Sequence, residues 1–277
     1  MNYEEFLYLL PYLFSLALTL GVFIYSWQHR HRRGARTYSW FVFGQTLTIL
    51  GFILELISPT LEIKIFWDKF QWLTDTYLVI LPFLIFSVEF SEYKLRYPSL
   101  VRAGLVVFIG IFTILLLTDD IHHLFYPNPH LSSDYPFPEL EYSFTAVVYL
   151  YSMIYLYAAN LIGISLLIKR ALQPHNAYRM QYWTIIAGFL IPLVLSLFAL
   201  ANIRVTMQRD ITPFSLAAGN LIVAWGLFRY RLFDIAPIAR ERIVENMIDP
   251  VIVLDLRIVS WTSTTRRYRF SISPTQR

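Results

Sequence analysis

Seven stretches of mostly apolar residues constrain this chain more than any other feature. A bilayer-spanning helix needs roughly 20 consecutive apolar residues. Such runs occupy Phe6–Trp27, Tyr38–Ile57, Phe70–Phe90, Leu100–Leu117, Phe144–Leu167, Tyr182–Leu200 and Pro213–Phe228. Composition agrees, with 56 % hydrophobic and 15 % charged residues, against about 45–50 % and about 25 % in soluble domains. An ordinary cytosolic enzyme, a disordered chain and a nucleic-acid binder are excluded on these grounds. The expected fold class is all-α: a polytopic membrane protein, a seven-transmembrane-helix bundle in the cell membrane, with the lipid bilayer as its first partner.

The net charge of +4 sits in short loops between the runs, where it acts as a topological signal. Alternate loops carry Arg30, Arg32, Arg33 and Arg36, then Lys94, Arg96 and Arg102, then Lys169, Arg170 and Arg179. The opposite loops carry only Lys64, Lys69, Arg204 and Arg209. The bias places the N-terminus outside and the C-terminus in the cytoplasm. Trp67, Trp72, Tyr38 and Tyr182, near run ends, suit interfacial anchoring. Met1-Asn2-Tyr3-Glu4-Glu5 lacks the basic start of a cleaved signal peptide, so the first run is expected to stay as a membrane helix. With no cysteine, disulfides, thiolate metal sites and thiol nucleophiles are impossible.

Ionisable groups inside a bilayer are costly and point to function by default. The third run holds the best set. Asp68, Gln71, Asp75, Val79, Pro82, Phe86 and Glu89 recur at steps of three and four, which is one face of a helix. One reading is a ligand or proton pocket near Trp67, Gln71, Trp72 and Asp75, with Pro82 kinking the helix so that its lower half can move. The other is that Asp68 and Glu89 are interfacial, and that Asp75 is neutral or hydrogen-bonded within the bundle. Gln45 and Glu55, Asn160 and Asn220 are further buried polar groups. Asn160 lies beside Ala159 and Gly163, and Asn220 beside Ala217, Ala218 and Gly219. Small residues at such spacing favour close helix packing, with asparagine as an interhelical donor. Pro192, after Gly188, predicts a kink in the sixth helix.

The long connection Thr118–Ser143 contains His122, His123 and His130. Adjacent histidines in an unstructured loop do not have the i, i+4 spacing of a preformed metal site, so no metal ligand is assigned. The chain has no HExxH, GxSxG or Walker loop. Its seventh run has no lysine for a retinal Schiff base, and no pair of broken helices suggests a transporter repeat. Neither a cofactor nor a catalytic residue is expected.

Beyond Arg229 the character changes. Ile235–Met247 reads as an amphipathic helix with Ala236, Ala239, Ile243 and Met247 along one seam, which would pair with a second copy as a homodimer or lie on the membrane surface. Asp249-Pro250 ends it, Val251–Leu254 reads as a strand, and Trp261–Arg277 has no usable periodicity. The domain reading is 1–231 for the membrane region, 232–248 for a cytoplasmic signalling helix and 249–277 for an incomplete further domain with a disordered tail.

Several segments resemble one family. They are Phe66-Trp67-Asp68-Lys69-Phe70-Gln71-Trp72, Leu81-Pro82-Phe83-Leu84-Ile85-Phe86-Ser87-Val88-Glu89-Phe90 and His122-His123-Leu124-Phe125. Most specific is Gly226-Leu227-Phe228-Arg229-Tyr230-Arg231-Leu232-Phe233-Asp234-Ile235-Ala236-Pro237-Ile238-Ala239-Arg240-Glu241. Together they resemble the N-terminal seven-transmembrane sensor region of bacterial and archaeal histidine kinases, found also on some diguanylate cyclases. Glu245–Asp255 looks like the start of a PAS domain, which the remaining residues do not continue. The resemblance implies a receptor that detects an outer or intramembrane stimulus, an unknown small ligand among them, and transmits it through the last helix. Pro82, Glu89, Pro192 and Asn220 are the expected transmission residues, together with the Ala236/Ala239/Ile243/Met247 seam. The abrupt departure after Asp255 implies truncation, as by a frameshift, with no kinase output in this chain. A small-solute transporter and a non-functional remnant are the alternatives.

Overall fold

The computed structural model describes residues 3–31, 34–132, 136–173, 179–200 and 211–230, all within one compact unit, Met1–Phe233. Helix α1 is Tyr3–Gln28 and α2 is Ala35–Ile57. Helix α3, Leu61–Thr74, runs through a π-turn at Asp75–Ile80 into α4, Leu81–Ser91. Next come α5, Pro98–Leu117, the short α6, Asp119–His122, and strands β1, His130–Leu131, and β2, Leu140–Glu141. Helix α7, Ala146–Tyr151, runs through a second π-turn at Ser152–Tyr157 into α8, Ala158–Ala171; α9 is Arg179–Leu200 and α10 is Thr212–Tyr230.

Every apolar run is helical. Among the described residues, six spans are long and apolar enough to cross a membrane, from Tyr3–Gln28 to Arg179–Phe198. The third is much longer than its apolar run, covering Leu61–Ser91. Helix formation continues through the polar segment before Phe70 because Lys64, within it, is buried against backbone carbonyls of α2.

Helix α2 is the hub. Fifteen of its 23 residues are buried, and it touches α1, α3, the first π-turn, α4 and α10. Helix α5 is the opposite case, burying only Ile109, Phe112 and Leu116. Lipid tails are as apolar as leucine, so packing between helices comes from close van der Waals fit and polar contacts rather than from expelling water. Aromatic rings supply much of that fit: Phe41, Phe83 and Phe86 all lie against Phe189, and Phe112 stacks on Tyr151.

Two prolines set the closest backbone approaches. A proline leaves the carbonyl four residues earlier without its usual N–H and crowds it. For Pro82 that carbonyl belongs to Leu78, and the wider π-turn relieves the crowding. A Cβ on Gly44 of α2 would overlap the Leu78 carbonyl, so only glycine fits there. For Pro192 the carbonyl is that of Gly188, and a Cβ on Gly219 of α10 would overlap it in the same way. Helix α9 itself runs from Arg179 to Leu200 through Pro192.

The connection between α5 and α7 is folded, which corrects the expectation of an unstructured loop. Asp119, only 2 % exposed, accepts the backbone N–H groups of Phe125 at 2.7 Å and Tyr126 at 3.2 Å. A carboxylate holding two backbone donors orders a turn that apolar periodicity cannot reveal. Strands β1 and β2 pair antiparallel, His130 opposite Glu141 and Leu131 opposite Leu140. The Thr145 hydroxyl donates to the Leu124 carbonyl, tying this lid to the start of α7.

Candidate functional site

One stripe of polar side chains on α2 reaches three neighbours. Gln45, Thr48 and Glu55 are all buried. Asn220 Nδ2 on α10 donates to Gln45 Oε1 at 2.7 Å. The Thr48 hydroxyl donates to Asp75 Oδ1 at 2.7 Å, and Gln71 Nε2 donates to Glu55 Oε2 at 3.4 Å. Just beyond, Lys64 is wholly buried, and its ammonium donates to the carbonyls of Glu55 at 2.6 Å and Leu56 at 3.0 Å. The last carbonyls of a helix lack intrahelical partners and carry its negative dipole end. Lys64 satisfies both needs. It is therefore an internal cap and not a loop charge, contrary to its use in the orientation count, because the hairpin between α2 and α3 folds it inward.

A second cluster lies on another side of α3. Asp68 Oδ2 accepts from Trp72 Nε1 at 3.1 Å, from the Tyr126 hydroxyl at 2.7 Å and from the Tyr142 hydroxyl at 2.9 Å. Two of these donors belong to the lid, so a single carboxylate oxygen fastens the lid to α3. Burial, reinforced by the carboxylates of Asp68 and Asp119 and by the Tyr142 phenol, holds the Tyr126 phenol well above the ordinary tyrosine range. The lid also meets α1, where the Tyr8 hydroxyl donates to Glu139 Oε1 at 3.2 Å and the Tyr8 ring packs on Phe137.

The four residues expected around a pocket therefore divide. Gln71 and Asp75 turn to α2, whereas Trp72 turns to Asp68, Phe112 and Tyr151. Trp67 packs against Phe66 and Phe70. Of the face drawn from Asp68 to Glu89, Asp68 turns to Tyr126 and Tyr142. Glu89, exposed at the far end, instead accepts the Thr37 hydroxyl of α2 at 2.8 Å, on the side that Gln71 and Asp75 also meet.

The two π-turns meet each other. Thr76 Oγ1 and the Tyr151 hydroxyl are 2.5 Å apart, and the Tyr155 hydroxyl donates to the Thr76 carbonyl at 3.0 Å. Asn160 Nδ2 donates to the Leu156 carbonyl at 2.6 Å. It thus serves its own helix and not a neighbour, a correction to the interhelical role expected of it. Asn220, in contrast, does bridge two helices. Pro82 is buried at the start of α4, and Pro192 lies at the α9–α10 contact. Ala236, Ala239, Ile243 and Met247 lie outside the described residues. Among those described, no group of three metal-ligating side chains comes together.

The profile of the N-terminal 7TM region of histidine kinase matches residues 11–237. The chain belongs to that family. This histidine-kinase 7TM region is thus a multi-pass protein of the membrane, and the match covers the sensor region of such kinases. The PAS-like stretch from Glu245 lies beyond the match and outside the described residues. No curated protein matches the chain.

Four contributors to the 7TM region's interior escape pattern reading. Lys64 was hidden among loop charges, Thr48 among apolar neighbours, and Tyr126 and Tyr142 in a segment without periodicity. The available signal was the presence of Glu55, Asp68 and Asp75 in and beside apolar runs: each needs a donor if it lies inside a bilayer, and hydroxyl, indole and amide groups nearby are the supply.

Proposed function

We propose that this 7TM region is the receiving part of a signalling receptor, with its N-terminus and lid outside the cell and α10 leading into the cytoplasm. The observation that carries the reading is the stripe on α2. Along it, Gln71 of α3 and Asp75 of the first π-turn each hydrogen-bond to α2, and α2 is bonded in turn, through Gln45, to Asn220 in α10, the helix that leads to the linker. A stimulus that shifts α3 against α2 has a polar route to the output helix, and isolated apolar contacts would not set register so sharply. The basic-residue bias supports the orientation. The aromatic residues around Trp67 and Trp72 suit a small apolar or amphipathic ligand.

The experiment grafts residues 1–255 onto an intact PAS–kinase module in vesicles and screens stimuli for altered phosphorylation. Stimulus-dependent output that Asn220→Leu or Asp75→Asn abolishes in a folded chimera is the expected result. Flat output from a folded chimera across a broad screen, or solute uptake by the 7TM region alone, would overturn the receptor reading.

A further inference from the structure

His122 occupies a position in which both ring nitrogens are committed. The Thr118 hydroxyl donates its proton to the Ile114 carbonyl at 2.7 Å. Its oxygen, 3.2 Å from His122 Nε2, can then only accept, so Nε2 carries a hydrogen. The Leu124 N–H donates to Nδ1 at 3.2 Å, so Nδ1 offers a lone pair. The hydrogen-bond network thus assigns the neutral, Nε2-protonated tautomer. On its other side, Nδ1 lies 3.5 Å from Asp119 Oδ1, whose side chain is 2 % exposed. The His122 side chain itself is 25 % exposed, so a proton from solution can reach it.

We propose that His122 is an acid-sensing latch of the lid, responding to protons on the lid side of the membrane. Histidine is the side chain that changes charge between about pH 5 and 8. A proton arriving at Nδ1 turns that atom from acceptor to donor. It then faces the Leu124 N–H donor to donor, and Asp119 Oδ1 becomes its partner. One Nδ1–H bond forms with a proton given up by hydronium or a buffer acid in solvent, and the Leu124 N–H is released. Leu124 matters because its carbonyl holds the Thr145 hydroxyl, and Thr145 caps α7. The same swap draws Asp119 Oδ1 away from the Phe125 N–H it now accepts. Protonation therefore loosens the Leu124–Tyr126 turn at the point where it meets α7 and, through Tyr126, Asp68 on α3.

The charged and titratable groups around the latch are consistent with this role. Asp119 is the direct partner. Asp120 is turned to Lys69 of α3 at 3.2 Å, and His123 follows in the chain. Tyr126 is bonded to Asp68. The last turn of α5 and the start of α7 carry no charged side chain. The lid's other paired histidine, His130, lies 3.6 Å from Glu141 and is 65 % exposed, where a charge change costs little.

The latch gives the receptor reading a stimulus and rests on that reading for its purpose, but its test does not. Residue-resolved amide exchange is measured on the full chain in lipid nanodiscs at pH 7.5 and 5.5, corrected for intrinsic exchange. The Leu124 amide is expected to lose about fivefold protection or more at pH 5.5, the effect of one released hydrogen bond. In His122→Asn, where Oδ1 replaces Nδ1 as a non-titrating acceptor, protection is expected to be pH-independent. His130→Asn is expected to keep the wild-type loss. Unchanged Leu124 protection in the wild-type chain, or an undiminished loss in His122→Asn, would overturn the latch. If His122→Asn leaves the lid unfolded at both pH values, direct ¹⁵N titration of the His122 ring decides. A shift from one protonated nitrogen to two, in step with the Leu124 loss, supports the latch; a ring unchanged across the same range removes it. A latch that works in a chain whose kinase chimera stays silent would count against the receptor reading alone.

Discussion

Replacing Gly44 with alanine tests the packing of α2 against the first π-turn. The added Cβ would overlap the carbonyl, the carbonyl carbon and the Cβ of Leu78. Two of these are backbone atoms of a helix and cannot swing aside, so α2 must retreat. Overpacking of this kind costs roughly 1–3 kcal/mol. The Thr48–Asp75 bond lies one turn further along the same contact, and stretching a hydrogen bond to a charged acceptor loses about 1.5–3 kcal/mol. Alanine recovers up to about 1 kcal/mol of helix propensity. The net expectation is a loss of roughly 1.5–5 kcal/mol. Gly104→Ala is the matched control, because a Cβ there meets nothing within 4 Å, and it is expected to be neutral or slightly stabilising. Reversible unfolding in mixed micelles reads both. If the two variants agree within about 0.5 kcal/mol, the ordinary scatter of surface substitutions, the claim that Leu78 and Gly44 set the distance between α2 and the first π-turn is wrong.

Three more outcomes follow from the polar contacts. Lys64→Met is expected to cost about 2–3 kcal/mol, since it leaves two buried carbonyls unserved, whereas Lys69→Met, whose partner Asp120 is 84 % exposed, should stay within about 1 kcal/mol; the same unfolding assay compares them. A double-mutant cycle on Gln45→Leu and Asn220→Leu should return a coupling near 0.6 kcal/mol and at most about 1.7 kcal/mol, the range for hydrogen bonds inside bilayers. The Tyr126 phenol is raised in the folded protein, so its contribution to lid closure is complete below about pH 10, where a free tyrosine begins to ionise, and is lost as pH climbs towards the folded value. Proteolysis of the lid should therefore be insensitive to this group up to about pH 10 and accelerate above it, and Tyr126→Phe should weaken that acceleration.

The helices were legible because lipid imposes a length and an apolar composition on anything that crosses it, and both are local properties. Each of the seven runs became a helix with ends moved by a few residues, except the third. There, the start at Leu61 depended on Lys64 finding carbonyls that belong to another helix. The grouping of Trp67, Gln71, Trp72 and Asp75 into one pocket was not legible. A uniform step of about 100° per residue cannot register the π-turn at Asp75–Ile80, nor say that Gln71 meets Glu55 of α2 while Asp68 meets Tyr126 and Tyr142. Pro82 offers a local cause for the first π-turn. The second contains no proline, and its contacts with Thr76 come from a helix more than seventy residues away.

Residue order alone therefore determined that this is a membrane bundle of the histidine-kinase sensor type, since hydropathy and a contiguous linker motif need no knowledge of contacts. Tertiary structure decided which acid meets which donor, why Gly44 and Gly219 must lack side chains, and how the lid is fastened. Inside a bilayer no water competes for polar groups, so each must find a partner wherever the fold brings one within reach. That choice is made between helices and leaves no periodic trace along any one of them.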